Sequence, residues 1–242
     1  MIRLTDLKLP LNHSDDELRS AILGKLSLAD AELRDFSIFK RSYDARKKGN
    51  ILLIYLLDLN LTADAEQRLL ADKKLSNIVR PSPDTEYKFL AQAPANFPGA
   101  DQQRPVIIGF GPCGILAALV MAQMGLKPIV LERGQDVRQR TKDTWGLWRE
   151  RKLNTESNVQ YGEGGAGTFS DGKLYSQVKD RRFLGRKVMS EFVKAGAPEE
   201  ILMVSKPHIG TFKLVKMVEN IRAEITRLGG EIRFNTKVET VH

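Results

Sequence analysis

Apolar and polar positions divide this chain into two halves with different rhythms. IRLTDLKL, at the N-terminus, alternates as a half-buried strand does. Ser14 stands three residues before Glu17, the spacing of a capping box, and predicts a helix over DDELRSAILGKL. LRDFSIFKRSYD and ILLIYLLDLNL flank the turn ARKKGN and predict a β-hairpin. DAEQRLLADKKL reads as a second helix, and a short strand is expected near EYKFL. The order βαββαβ is the ferredoxin-like arrangement of a small α+β domain. APANFPGADQQRP, residues 93–105, carries three prolines and a glycine without any apolar period. It reads as a linker, which gives a domain over 1–97 and a second over 98–242.

Beyond the linker the pattern predicts strands at 105–109 and 128–132, with helices at about 112–124 and 137–152. A glycine-rich segment follows at 162–172, then helices at 184–195 and 211–228 and strands at 230–235 and 237–241. The longest apolar run, VIIGFGPCGILAALVMAQMGL at 106–126, is long enough to span a bilayer. Gly109, Gly111, Pro112 and Gly114 break it at one end, so a strand, a turn and a helix are expected instead.

Each residue of that turn then has a physical task. Gly109 permits a tight turn, Gly111 lets a pyrophosphate reach the backbone, and Gly114 lets helix and strand pack closely. Pro112 suits the first helical position, and the helix start beside Cys113 offers free N–H groups to a diphosphate. Ala118 keeps the helix near the sheet and Gly125 ends it. The next strand, PIVL, runs into Glu132, 23 residues after Gly109. A carboxylate there accepts both ribose hydroxyls and disfavours NADP. The fold class is α/β, with a Rossmann-like βαβ unit. The turn alone leaves FAD and NAD open.

The run from Gly109 to Arg133, GxGxxGxxxA(x₆)G(x₆)ER, resembles the first motif of glutathione-reductase-type FAD proteins. YGEGGAGTFSDGKL, residues 161–174, is similar to the second FAD-contacting segment of an uncharacterised group of bacterial FAD-dependent dehydrogenases. LNTESNVQYGEGGAGTFSDGKLYS, KPHIGTFKLVKMVENIRAEI and GGEIRFNTKVETV extend the likeness over most of 104–241, and the N-terminal domain resembles the one that group carries. The resemblance implies FAD as cofactor, with NAD(P)H as a possible electron donor. It adds Gly164, Gly165, Gly167, Thr168, Ser170, Gly172 and Lys173 as cofactor contacts, and places the Val238 backbone against the adenine. The glycines would let backbone approach a flat ring or phosphate, and Lys173 could offset charge on a reduced ring. The group's Gly-Asp pair does not occur after residue 172. The chain is therefore expected to be a fragment of a longer enzyme, with weak FAD binding and little turnover alone.

Charge and composition change this picture only slightly. Of the net charge of +8, residues 1–97 contribute +1 and residues 98–242 contribute +7, which suits an anionic ligand or a solvated basic surface. The N-terminus has no signal-peptide h-region, and Cys113 is the only cysteine, which together point to the cytoplasm and exclude a cysteine-cluster metal site. Lys40, Arg41, Arg46, Lys47 and Lys48 crowd the hairpin, yet no aromatic RNA-binding signature accompanies them, so nucleic acid is disfavoured. Tyr43, Tyr55, Phe39, Trp145, Trp148 and Cys113 are read as packing residues, and the run Lys179, Arg181, Arg182, Arg186 and Lys187 as a solvated helix start. His208 could donate a proton near a cofactor or simply sit in a turn, and His13 and His242 have no assigned role. Catalytic residues, substrate, electron acceptor and oligomeric state are not assigned. The function expected is an FAD-dependent oxidoreductase. A redox-inactive nucleotide- or nucleic-acid-binding module and an NAD-dependent dehydrogenase are the alternatives.

Overall fold

The structure is a computed structural model that describes residues 1–47, 49–176 and 178–241. Lys48 and His242 lie outside the described residues. The fold is mixed α/β, with one antiparallel and one parallel sheet. It divides into two compact units, Met1–Thr85 with Glu199–Pro207, and Glu86–Pro198 with His208–His242.

In the first unit the order is β1 (Ile2–Pro10), α1 (Asp15–Leu26), β2 (Leu33–Asp44), β3 (Leu52–Leu61), α2 (Ala63–Ala71) and β4 (Val79–Pro81). The strands lie β2-β3-β1-β4, all antiparallel. Strict alternation in β3 sends Leu53, Tyr55, Leu57, Leu59 and Leu61 into the core. In β1 the alternation of Ile2 and Leu4 would continue to Asp6. A one-residue bulge between Leu4 and Leu7, with Asp6 at φ +59°, throws that carboxylate outward and returns Leu7 to the core. The capping box forms: Glu17 N–H donates to Ser14 Oγ, and Ser14 N–H donates to the Glu17 carboxylate. Leu18, Ile22 and Leu26, four apart, carry the helix onto the sheet.

Two expectations for this unit are corrected. The last strand is Val79–Pro81, paired with Ile2–Leu4, and EYKFL forms none. Val79 offers a side chain the core can bury, whereas Leu90 is exposed. Of the aromatic residues, Tyr55 is buried, but Tyr43 stands out in solvent, because its strand β2 is an edge of the sheet.

In the second unit β5 (Val106–Ile108), β6 (Ile129–Leu131) and β7 (Glu231–Arg233) form a parallel sheet in that order. The crossover from β5 to β6 is α3 (Pro112–Gln123). The crossover from β6 to β7 carries α4 (Val137–Glu150), α5 (Leu184–Lys194) and α6 (Thr211–Arg227). Arg104 ties the entry ends of the sheet, donating to the carbonyls of Lys127 and Gly229 and to Glu231. Residues of the proline-bearing stretch are tied in as well: Ala93 N–H donates to Met124 O and Lys127 Nζ to Phe97 O. The expected strand at 237–241 is absent. Asn235 takes a left-handed conformation, φ +54°, while Thr236 N–H donates to Glu132 O, so the chain turns across the end of β6 instead of running along the sheet. Among the described residues no helix is long and apolar enough to cross a membrane.

Candidate functional site

β5 ends at Ile108 and the chain must reverse at once to start α3. Gly109 makes the turn at φ +90°, a conformation that side chains disfavour. Pro112 opens α3, where a missing N–H leaves nothing unsatisfied. The two following glycines differ in what a side chain would meet. A Cβ on Gly114 would collide with the Gly109 carbonyl, so close packing of helix and strand requires glycine there. A Cβ on Gly111 would meet only Gly165 Cα, at 3.8 Å. Its missing side chain therefore relieves no clash and leaves open space before the helix end. Cys113, expected as a packed residue, is exposed, because it lies off the buried stripe of α3, which is Ile115, Ala118, Leu119 and Ala122.

Glu132 closes β6 almost fully buried, at 4% exposure. Its Oε2 accepts the Phe110 N–H at 2.7 Å, and Oε1 accepts those of Gly134 and Gly162 at 2.8 and 3.0 Å. One carboxylate thus fastens the glycine turn, the end of β6 and the glycine-rich loop together. Of the roughly four lone-pair sites of a carboxylate, one on Oε2 is unused among the described residues. Arg133 turns the other way, paired with Glu156 at 2.7 Å and stacked on the Tyr161 ring at 3.8 Å.

These groups border a cavity of about 250 Å³ at the carboxyl ends of all three strands. Ile108, Gly109 and Gly111 come from the end of β5, Glu132 and Arg133 from β6, and Val238 with Lys237 from beyond β7. Gly165 and Tyr161 close it from the glycine-rich loop. The other residues assigned from sequence to the same cofactor lie elsewhere. Pro112, Gly164, Gly167, Thr168, Ser170, Gly172 and Lys173 line a second cavity of about 220 Å³, walled by α3, α5 and α6. The approach of Gly165 to Pro112 divides the two, since a Cβ on Gly165 would stand 3.0 Å from Pro112 Cδ. Lys173 is exposed and pairs with Asp171 at 3.2 Å, and its backbone bridges to His208.

Sequence reasoning missed the groups that hold the loop. Arg140 on α4 is fully buried. It donates to the carbonyls of Asn158, Val159, Glu163 and Gly165 at 2.6–2.8 Å. Burial pushes its guanidinium down to about 10. Glu163, also fully buried, accepts the Val137 N–H at 2.7 Å and Arg222 at 2.9 Å through Oε2, while Oε1 has no partner among the described residues. Burial pushes its carboxyl up to about 6. Gly134 and Gly162 were also overlooked: a Cβ on Gly134 would stand 2.6 Å from Gly162 Cα. The one available signal was the density of glycine around this carboxylate. The tryptophans of α4 are corrected too. Trp145 and Trp148 are about half exposed, because the buried face of this helix is Val137, Arg140 and Thr144.

A profile for a domain of unknown function, DUF8436, matches residues 1–60. Over 245 residues the chain is 42% identical to an uncharacterized protein of Clostridium beijerinckii, a match covering 99% of this chain and 43% of that protein. The chain thus spans less than half the length of the curated relative it matches. Both matches are uncharacterised and neither names a flavin oxidoreductase. The assignment to a family of FAD-dependent dehydrogenases read from the motifs is therefore corrected. The physical reason is that glycine positions in such a turn are set by backbone geometry, which chains of different descent share.

Proposed function

We propose that the second unit binds the ADP part of a dinucleotide, FAD, and that the protein works as an FAD-dependent oxidoreductase. The strand order β2-β3-β1-β4 supports reading the first unit as ferredoxin-like, and the parallel order β5-β6-β7 supports reading the second as Rossmann-like. The observation that carries the reading is the open space before α3. Gly111 needs no glycine for packing, yet its missing side chain leaves room where the helix presents unpaired N–H groups. Ligands of open parallel sheets lie in this place, beyond the carboxyl ends of the strands.

The residues present fit a diphosphate and its ribose. The turn over Phe110–Cys113 receives the phosphates, and the positive end of α3 favours their charge. The free lone pair of Glu132 accepts one ribose hydroxyl, and Tyr161 with its stacked Arg133 offers a flat wall to the base. FAD when bound supplies two-electron transfer, and the protein supplies orientation and charge. NAD(P)H is the proposed electron donor. Titrating FAD into the chain and following flavin fluorescence tests the reading. Saturable one-to-one binding, weakened about tenfold or more by Gly111→Val, is expected. Binding that is absent, or indifferent to that substitution, would refute it.

A further inference from the structure

The second cavity is chemically unlike the nucleotide cradle. Its walls are Ile115 and Leu116 of α3, Phe192 of α5, and Leu214, Met217 and Val218 of α6. These side chains offer no hydrogen bond beyond the weak acceptor of the Met217 sulfur, so a phosphate or sugar entering among them would lose hydration without compensation. The sequence explains the apolar walls. Leu214, Met217, Val218 and Ile221 recur at three- and four-residue spacing along α6, and Ile115 with Leu119 does the same on α3. The two helices face each other across the gap, and the glycine-rich loop roofs it. Gly172 lies so close to Leu214 that a Cβ would stand 3.1 Å from that side chain.

Polar groups enter from the roof only: Thr168, Ser170 and Lys173. Among the described lining residues Lys173 is the one cation. Its partner Asp171 is as exposed as it is, so their pairing is weak and open to competition. Size adds a second constraint. An apolar cavity of about 150 Å³ stays dry and binds benzene. A cavity of about 220 Å³ accommodates a larger, two-ring system.

We infer that this cavity is a separate binding site for a small aromatic carboxylate, its rings between α3 and α6 and its charge at Lys173. The site stands apart from the nucleotide cradle, sharing with it only the start of α3 at Pro112 and the glycine-rich loop that roofs one and closes the other.

The test is calorimetric titration of the full chain with 2-naphthoate and with its uncharged methyl ester. One-to-one binding of the acid is expected. Val218→Phe and Leu116→Trp, which fill the cavity from two helices, should each weaken it about tenfold or more while circular dichroism shows both variants folded. Lys173→Met should weaken the acid several-fold and leave the ester unchanged. Gly111→Val, which fills the cradle, should leave both ligands unaffected, so failure of the nucleotide reading and failure of this one give different results. No binding of the acid up to millimolar concentration would overturn the inference. So would folded cavity-filling variants that bind normally, equal losses of acid and ester in Lys173→Met, or loss of the acid in Gly111→Val.

Discussion

The two units bury different kinds of side chain. The core of the first is a single apolar cluster built from alternating strands and two amphipathic helices, and among the described residues Arg3 is its one buried charge. Arg3 is matched there by both oxygens of Asp58 and by the Phe39 ring at 3.6 Å. The second unit buries Glu132, Arg140, Thr144, Ser157, Asn158, Glu163, Thr168 and Glu191 among the described residues. Its glycine-rich loop has few side chains with which to pack. Carbonyl groups gathered by Arg140 and N–H groups gathered by Glu132 hold it instead. An apolar core tolerates changes of detail as long as volume is kept. A loop held by buried charges does not, because removing one partner leaves the others unsatisfied.

The largest expected effect follows from that asymmetry. Arg140→Met keeps most of the side chain's bulk but leaves four carbonyls, three of them in buried hydrogen bonds, without their donor. It should cost the second unit about 4 kcal/mol in urea unfolding. A loss below about 1 kcal/mol would show that the loop is held by something else. Leu57→Ala, at a fully buried position of β3, should cost the first unit about 3 kcal/mol through the cavity it leaves. Urea unfolding followed by circular dichroism reads that loss, since Trp145 and Trp148 both lie in the second unit.

Glu163 sharpens the contrast through pH. Its carboxyl is raised from the usual 4.5 to about 6, so the folded unit holds this proton more tightly than the unfolded chain does. The cost of burying the charge is absent below about pH 4.5, grows as pH rises to about 6, and is then complete, at about 2 kcal/mol. Paired carboxylates such as Glu219, which Arg138 holds below its usual value, act in the opposite direction and weaken the fold as pH falls. Comparing wild type with Glu163→Gln isolates the one group. The variant should gain about 2 kcal/mol relative to wild type between about pH 4 and about pH 7, measured by urea midpoints. A constant difference would contradict the burial assigned to this side chain. The smallest effect belongs to the first unit. Ser14→Ala removes the cap of α1 and should cost about 1 kcal/mol, read from thermal unfolding.

The same contrast explains what the sequence could reveal. The capping box at Ser14, the alternation of β3 and the period of α6 are local, so they read directly from residue order. The bulge at Asp6 hid inside an alternation that only the register with β3 resolves. EYKFL has residue types that suit a strand, while the three residues that pair with β1 are too short a run to stand out. At the site, the glycine turn before α3 was legible because turn geometry dictates residue type. Arg140 was not, since nothing near it in sequence marks it for burial. Its partners arrive from residues 158–165, and an arginine on a polar helix reads as solvated. The division of the glycine-rich segment between two cavities was equally hidden. It depends on Gly165 meeting Pro112 across more than fifty residues of sequence.

The central claim is that the space before α3 receives a diphosphate, and calorimetric titration with ADP tests it most directly. The account predicts saturable one-to-one binding to the wild-type chain and at least about a tenfold loss in Gly111→Val, with both proteins melting at the same temperature. ADP affinity that is equal in the two equally stable proteins would contradict it, because the open space at Gly111 would then have no part in holding the ligand.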